Sequence, residues 1–267
     1  MGGLLGRGVK GMIYVLGDCF VDRYWIGETE RLSPEAPIPV VRHTHTTIRE
    51  GGAANVAKNI ESLGGDVKLV NEVSTSLWPV KNRLMVGDYQ LARWDENDVC
   101  KESVVGSNIR EASAVVIADY CKGAITDTVI NKLGRVVAGK RVYIDTKGDP
   151  DRFDPLCGAL EVTMFPNLKE YEQYHSQYTG FSEWGTVVLK KGKDGIALIR
   201  ERRIEVKLPA WNNQATCTIG AGDTVMAAYV VAEQEKMSNP LEWANKAAGL
   251  VVGKRYTSTV SRDEWLR

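Results

Sequence analysis

Two short stretches set polar side chains beside small residues in a way that could do chemistry. The first is CTIGAGDTVMAAYVVA, residues 217–232. Gly220, Ala221 and Gly222 open an otherwise apolar helical run, and Asp223 falls in its first turn. The first amides of a helix have no partner within it, and the helix dipole favours negative charge there. Small residues let a ligand approach those amides, so the turn can hold a phosphoryl group as charge builds on it. Asp223 can then accept the proton of an attacking hydroxyl. Alone, the same four residues better describe a glycine turn with an acid well placed on the dipole. The second stretch is REGGAANVAKNIESLG, residues 49–64. Gly51 and Gly52 open a helix and Asn55 stands in its first turn, either to meet ligand hydroxyls past the glycines or as a tight turn with a polar helix start.

These groups need a scaffold. MIYVLGD, residues 12–18, is an apolar run ending in an acid, the pattern of a buried strand. ASAVVIADY, RVYIDTK, LEVTMFPN and WGTVVLKKG are further β-branched runs, with helical stretches over 126–137 and 168–177 between them. DVKLVNEV reads as another strand, GIALIRERRIEVKLP as a late hairpin, and helices over 220–234 and 240–253 close the chain. Strands alternating with helices predict an α/β fold in three layers, a mostly parallel sheet with helices on both faces. Ligands of such sheets sit at the carboxyl ends of strands, where Asp18, Asp119, Asp145 and Asn167 fall. Residues 40–49 alternate and are polar, and VGDYQLARWDEND reads as one more exposed strand, so β-structure outside the core is expected.

The 267 residues are 43% hydrophobic and 25% charged, with a formal net charge of +0. They suit one large domain over 12–267 behind a flexible leader at 1–11. A neutral chain lacks the basic field that nucleic acid or an anionic membrane would need, and no apolar run has membrane-span length. The five cysteines are scattered without a CxxC pair, which points to free thiols in a reducing cytoplasm. His43 and His45 share a strand face without a third ligand, so they read as a solvated or interface strand.

GGAAN near the start and GAGD near the end, in this order, resemble the ribokinase-like (PfkB) carbohydrate kinases. Their Asn-x-x-Glu is matched by Asn167 and Glu170 in PNLKE, their phosphate-contacting loop by KKGKDG with Lys190, Gly192 and Gly195, and their adenine-side asparagine by Asn245. Asp22 to Trp25 (DRYW) and residues 31–41 (RLSPEAPIPVV) are similar to the D-glycero-D-manno-heptose 7-phosphate kinases within that family. The resemblance implies transfer of the ATP γ-phosphoryl group to the anomeric hydroxyl of that sugar phosphate. It makes Asp223 the proton acceptor, the Gly220, Ala221 and Gly222 amides the anion hole, and Glu170 a magnesium organiser acting through water. Asp18, Asp22, Gly51, Gly52 and Asn55 would bind the sugar, with Arg93, Lys122 and Arg23 as cations for its phosphate, unless Arg93 forms a surface ion pair with Asp95 or Glu96 instead. The family lid would comprise strands within about 23–50 and 82–95, through which two copies could pair.

The chain departs from the family twice. Cys217 stands where the signature begins with an aspartate that resembles a ligand of an activating monovalent cation, and a thiol is a poor ligand for K⁺. A helix and a strand that the family carries are missing near 75–80. Two alternatives therefore stay open: a kinase for another acceptor such as fructose 6-phosphate, ribose or a nucleoside, or a degenerate kinase fold that binds a sugar phosphate without turnover.

Overall fold

The computed structural model describes residues 11–70, 74–212 and 214–267; the expected leader lies outside them except for Gly11. Eight strands form the central sheet in the order β12-β11-β10-β9-β8-β7-β1-β4. They are β1 (Ile13–Gly17), β4 (Val67–Leu69), β7 (Ala114–Asp119), β8 (Arg141–Thr146), β9 (Glu161–Met164), β10 (Thr186–Lys190), β11 (Ile196–Arg200) and β12 (Arg203–Leu208). All pairings from β4 to β10 are parallel, and β11 and β12 add an antiparallel hairpin at one edge.

Strand periodicity divides the apolar residues between two cores. Ile13, Val15, Ala114 and Val116 face one side, where α1 (Ala53–Ser62), α5 (Ala221–Gln234) and α6 (Pro240–Val251) pack. Tyr14, Leu16, Val115 and Ile117 face the other, against α2 (Asp127–Gly134) and α4 (His175–Phe181). The fold is therefore three-layered. A short α7 (Arg262–Leu266) buries Trp265 beside α6.

A second, four-stranded sheet forms the lid, in the order β3-β2-β5-β6. Its strands are β2 (Cys19–Leu32), β3 (Pro39–Gly52), β5 (Val80–Val86) and β6 (Tyr89–Glu96). The single exposed strand expected around VGDYQ is instead the turn and second arm of a hairpin, reversed at Gly87 with φ 58°. The helix expected over 168–177 is two, α3 (Leu168–Gln173) and α4, broken at Tyr174 where φ is −118° and ψ 40°. The strand expected from DVKLVNEV is the short β4; residues 71–73 of that stretch lie outside the described residues. From residue 74 the chain makes one 3₁₀ turn, Thr75–Leu77, and enters the lid directly.

Candidate active site

The start of α5 meets the first turn of α1 and the residue that follows β7. Gly220 caps the helix at φ 80°, and a Cβ there would sit 2.9 Å from Asn55 Nδ2. Glycine is thus required both for the left-handed backbone and for the close approach. Asp223, two residues after the first helical position, is only 4% exposed. Its Oδ2 accepts from Asn55 Nδ2 at 2.7 Å and its Oδ1 from the Tyr120 hydroxyl at 2.5 Å. Asn55 Oδ1 accepts in turn from Asn59 at 3.2 Å, and Asn59 Oδ1 from Thr224 at 3.0 Å. This amide chain ties α1 to α5. Burial pushes the Asp223 carboxyl above the usual range, while the Asn55 and Tyr120 donors restrain the rise. A carboxylate raised towards neutrality is a better proton acceptor than an exposed one.

A cleft of about 420 Å³ opens from this point between the ends of β8 and β10 and the helices α5 and α6. One end is apolar, with Ile196, Val225, Ala248, Val252 and the exposed Trp211 on its walls. Asn245 lines it and donates to the Pro209 carbonyl at 2.8 Å. The other end is ionic. Lys190 and Lys147 approach Asp145 at 2.5 and 2.9 Å, and Lys147 also reaches Glu170 at 2.8 Å. Burial opposes the charge on Asp145, but the two lysines outweigh it and hold the carboxyl below the usual range. Gly192 and Gly195 complete the rim.

Asn167 and Glu170 are first of all a capping box: Glu170 N donates to Asn167 Oδ1 at 2.9 Å, and Asn167 N donates to Glu170 Oε2 at 2.8 Å. That fixes the Glu170 carboxylate on the cleft side of α3. Among the described residues no group of three or more His, Cys, Asp or Glu could cage a metal. One carboxylate that already holds an ammonium fits a magnesium ion bound mainly by water and phosphate oxygens, as that ion favours.

The lid packs beside this end of the site, and the structure corrects several sequence expectations there. Strand alternation turns Asp22 and Tyr24 inward and Arg23 and Trp25 outward. Arg23 consequently lies on the outer lid face, over the Trp25 ring and near Asn82 and Glu96, and is not in the site. Asp18 is fully buried and accepts the backbone N–H groups of Tyr120, Lys122 and Ala124 at 2.7, 3.1 and 2.9 Å. It clamps the loop after β7 and has no face open to a sugar. Gly51 and Gly52 pack into the ladder itself. They close the ladder against Phe20 and Cys19, and a Cβ on Gly51 would fall 2.2 Å from the Phe20 ring. Asn55 spends one Nδ2–H on Asp223 and accepts from Asn59 on Oδ1, so it orients the carboxylate and keeps its second N–H for a ligand.

Two basic residues that the motifs did not single out take the inward lid positions. Cross-strand register sets Asp22 against Lys81 and Lys81 against Asp95, and Tyr24 against Arg83 and Arg83 against Arg93. Arg83 donates to Asp22 Oδ1 at 2.6 Å, and Thr257 donates to Asp22 Oδ2 at 3.0 Å. Lys81 is 8% exposed and sits 3.2 Å from the Phe20 ring centroid. Among the described residues no carboxylate pairs with it. Burial, aided by nearby Lys122, Arg93 and Arg83, pulls its amine down to about 8 against the pull of Asp22. Arg93 and Lys122 stand around the same place, held by Asp95 at 2.6 Å and by Asp98. The readable signal was the Lys-x-Arg alternation in PVKNRLMV, which puts both cations on one strand face.

A parallel sheet with a glycine-flanked helix start, a buried carboxylate beside it, a lysine-lined cleft and a β lid defines a phosphotransferase that uses an alcohol as acceptor. Residues 108–264 match the model of the pfkB family carbohydrate kinases, and the chain belongs to that family. It is 34% identical over 300 residues to the bifunctional protein HldE of Photobacterium profundum, covering 94% of this chain and 62% of that protein. With the HldE of Shewanella sediminis it shares 32% over 305 residues, 97% of this chain and 63% of that one. The chain thus spans somewhat less than two thirds of these relatives. Both alignments are longer than the chain, so the relatives carry segments that have no counterpart here. Among solved structures it is similar to Arabidopsis thaliana ribokinase complexed with ribose and ATP, at TM-score 0.73 and 18% identity over 97% of this chain and 98% of that one. Escherichia coli phosphofructokinase-2 in complex with potassium aligns at TM-score 0.67 and 16% identity over 97% of each chain. These likenesses establish the ribokinase-like fold. Among the described residues no helix is long and apolar enough to cross a membrane.

Proposed function

We propose that this carbohydrate kinase moves the γ-phosphoryl group of Mg·ATP to the anomeric hydroxyl of D-glycero-D-manno-heptose 7-phosphate, giving the 1,7-bisphosphate. The observation that carries the substrate class is Lys81, a buried amine with no carboxylate in an ion pair with it among the described residues, ringed by Arg83, Arg93 and Lys122. A neutral sugar gives such a group nothing to pair with; a terminal phosphate does. The heptose assignment itself leans on the DRYW and RLSPEAPIPVV resemblance. The apolar end of the cleft takes adenine beside Asn245, and Lys190, with Gly192 and Gly195, faces the phosphates. Glu170 holds Mg²⁺ through water, and the ion neutralises charge on the phosphates when bound. The amides at Gly220, Ala221 and Gly222 receive the transferring group, and Asp223 takes the acceptor proton.

The outer lid face, with Trp25 and Trp94 stacked 6.2 Å apart and Ile48 exposed, suits pairing with the lid of a second copy. The five free thiols support a cytoplasmic place. Cys217 is half-buried and offers sulfur where K⁺ prefers oxygen. Turnover is therefore expected to change by less than about twofold when K⁺ replaces Na⁺; strong activation by K⁺ would contradict this.

The reading is tested by ADP release with Mg·ATP across heptose 7-phosphate, fructose 6-phosphate, ribose and a nucleoside. Heptose 7-phosphate is expected to give the highest kcat/KM. A higher value for an unphosphorylated acceptor would overturn the substrate assignment. Tight binding of the sugar phosphate without any ADP release would make the chain a binding protein.

A further inference from the structure

Tyr120 joins parts of the site that no motif connects. It follows β7 directly, and its backbone N–H donates to the buried Asp18 at 2.7 Å. Its ring meets Phe20 edge to face at 5.2 Å. Its hydroxyl donates to Asp223 Oδ1 at 2.5 Å. The ammonium groups of Lys81, on the lid, and Lys147, on the nucleotide side, stand 5.2 and 5.4 Å from the ring centroid. One side chain thus touches the proton acceptor and lies between the cations of the two substrate halves.

We propose that Tyr120 is a positioning residue for phosphoryl transfer, fixing the Asp223 carboxylate from the side opposite Asn55 so that a remaining lone pair points at the acceptor hydroxyl. The proposal rests on the reading of Asp223 as proton acceptor. A carboxylate offers about four acceptor positions. Asn55 and Tyr120 use one on each oxygen, so a substrate hydroxyl can arrive without displacing either. Two directed bonds fix the carboxylate plane, which one bond does not. Burial and the nearby acids Asp223 and Asp145 keep the phenol protonated well beyond the ordinary tyrosine range, so it serves as donor and does not compete as a base. The groups facing Asp223 are Asn55 from α1, Tyr120 after β7, Asp145 from the end of β8 and Lys190 from the end of β10. Of these, Tyr120 is the one whose hydroxyl can be removed without leaving a buried charge or amide unpaired.

Tyr120→Phe keeps the ring and its packing on Phe20. With heptose 7-phosphate, kcat is expected to fall roughly tenfold or more while KM for both substrates stays within about twofold. Loss of the donor raises the Asp223 carboxyl, so the acidic limb of kcat moves to higher pH. An infrared titration of the carboxyl band, assigned by its disappearance in Asp223→Asn, moves the same way and needs no turnover. Tyr143→Phe is the comparison for a purely structural loss: it removes another buried phenol–carboxylate bond, Tyr143 to Glu233 at 2.6 Å, and should leave the Asp223 band unmoved. An Asp223 titration unchanged in Tyr120→Phe, or a fall in kcat with the limb in place, overturns the proposal. Full turnover in Asp223→Asn would instead overturn the proton-acceptor reading on which it rests.

Discussion

Asp223→Asn is expected to lower kcat by about 10³-fold, with the binding of nucleotide and sugar phosphate changed by less than about threefold. The side chain is deeply buried, forms no ion pair with a cleft lysine among the described residues, and is oriented by donors on both oxygens. In the proposed mechanism it therefore contributes little to ground-state binding and acts where a proton must be taken from the acceptor. Because burial holds its carboxyl above the usual range, activity of the unaltered enzyme should fall as pH drops through that raised value, at a higher pH than an exposed aspartate would give. Rapid-mix measurement of ADP formation against pH checks both statements. A variant that keeps more than about a tenth of the activity would show that proton removal needs no protein base.

Lys81→Met should raise KM for a phosphorylated acceptor by about 10²-fold while leaving KM for ATP near its original value. Methionine fills most of the volume and keeps contact with Phe20, so the loss is one of charge. Among the described residues Lys81 has no carboxylate in an ion pair with it, whereas Arg83 is engaged by Asp22 and Arg93 by Asp95. The amine, held at about 8 mainly by burial, is charged below that pH and neutral above it. Affinity for the phosphosugar should accordingly weaken as pH rises through about 8, and the Met variant should lose that dependence. An equal rise in KM for a phosphorylated and a free sugar would place Lys81 outside phosphate recognition.

The α/β core was legible because its strands are short apolar runs buried on both faces and its helices carry periodic small residues. The acid at each strand end was legible for the same reason. What each acid does was not. Asp18 and Asp145 occupy equivalent places in the sequence pattern, yet one is absorbed by three loop amides and the other by two lysines. Those partners come from distant segments. The resemblance places lid strands within about 23–50 and 82–95, but the residues alone read only as exposed β-structure, since a two-sided polar strand leaves register and face unspecified. Hence Arg23 was placed in the site when it points outward, and Lys81 and Arg83 were passed over when they point inward. DRYW shows the cause well: four adjacent residues with obvious chemistry divide two and two between opposite faces of β2. Asn55 is legible in its motif, but its bond to Asp223 is not, because that bond spans 168 positions.

The central claim is best tested by ³¹P NMR of the enzyme with Mg·ATP and heptose 7-phosphate. The account predicts a new anomeric phosphate resonance appearing in step with ADP, while the 7-phosphate signal is kept. ADP with inorganic phosphate alone, or no ADP, would contradict it.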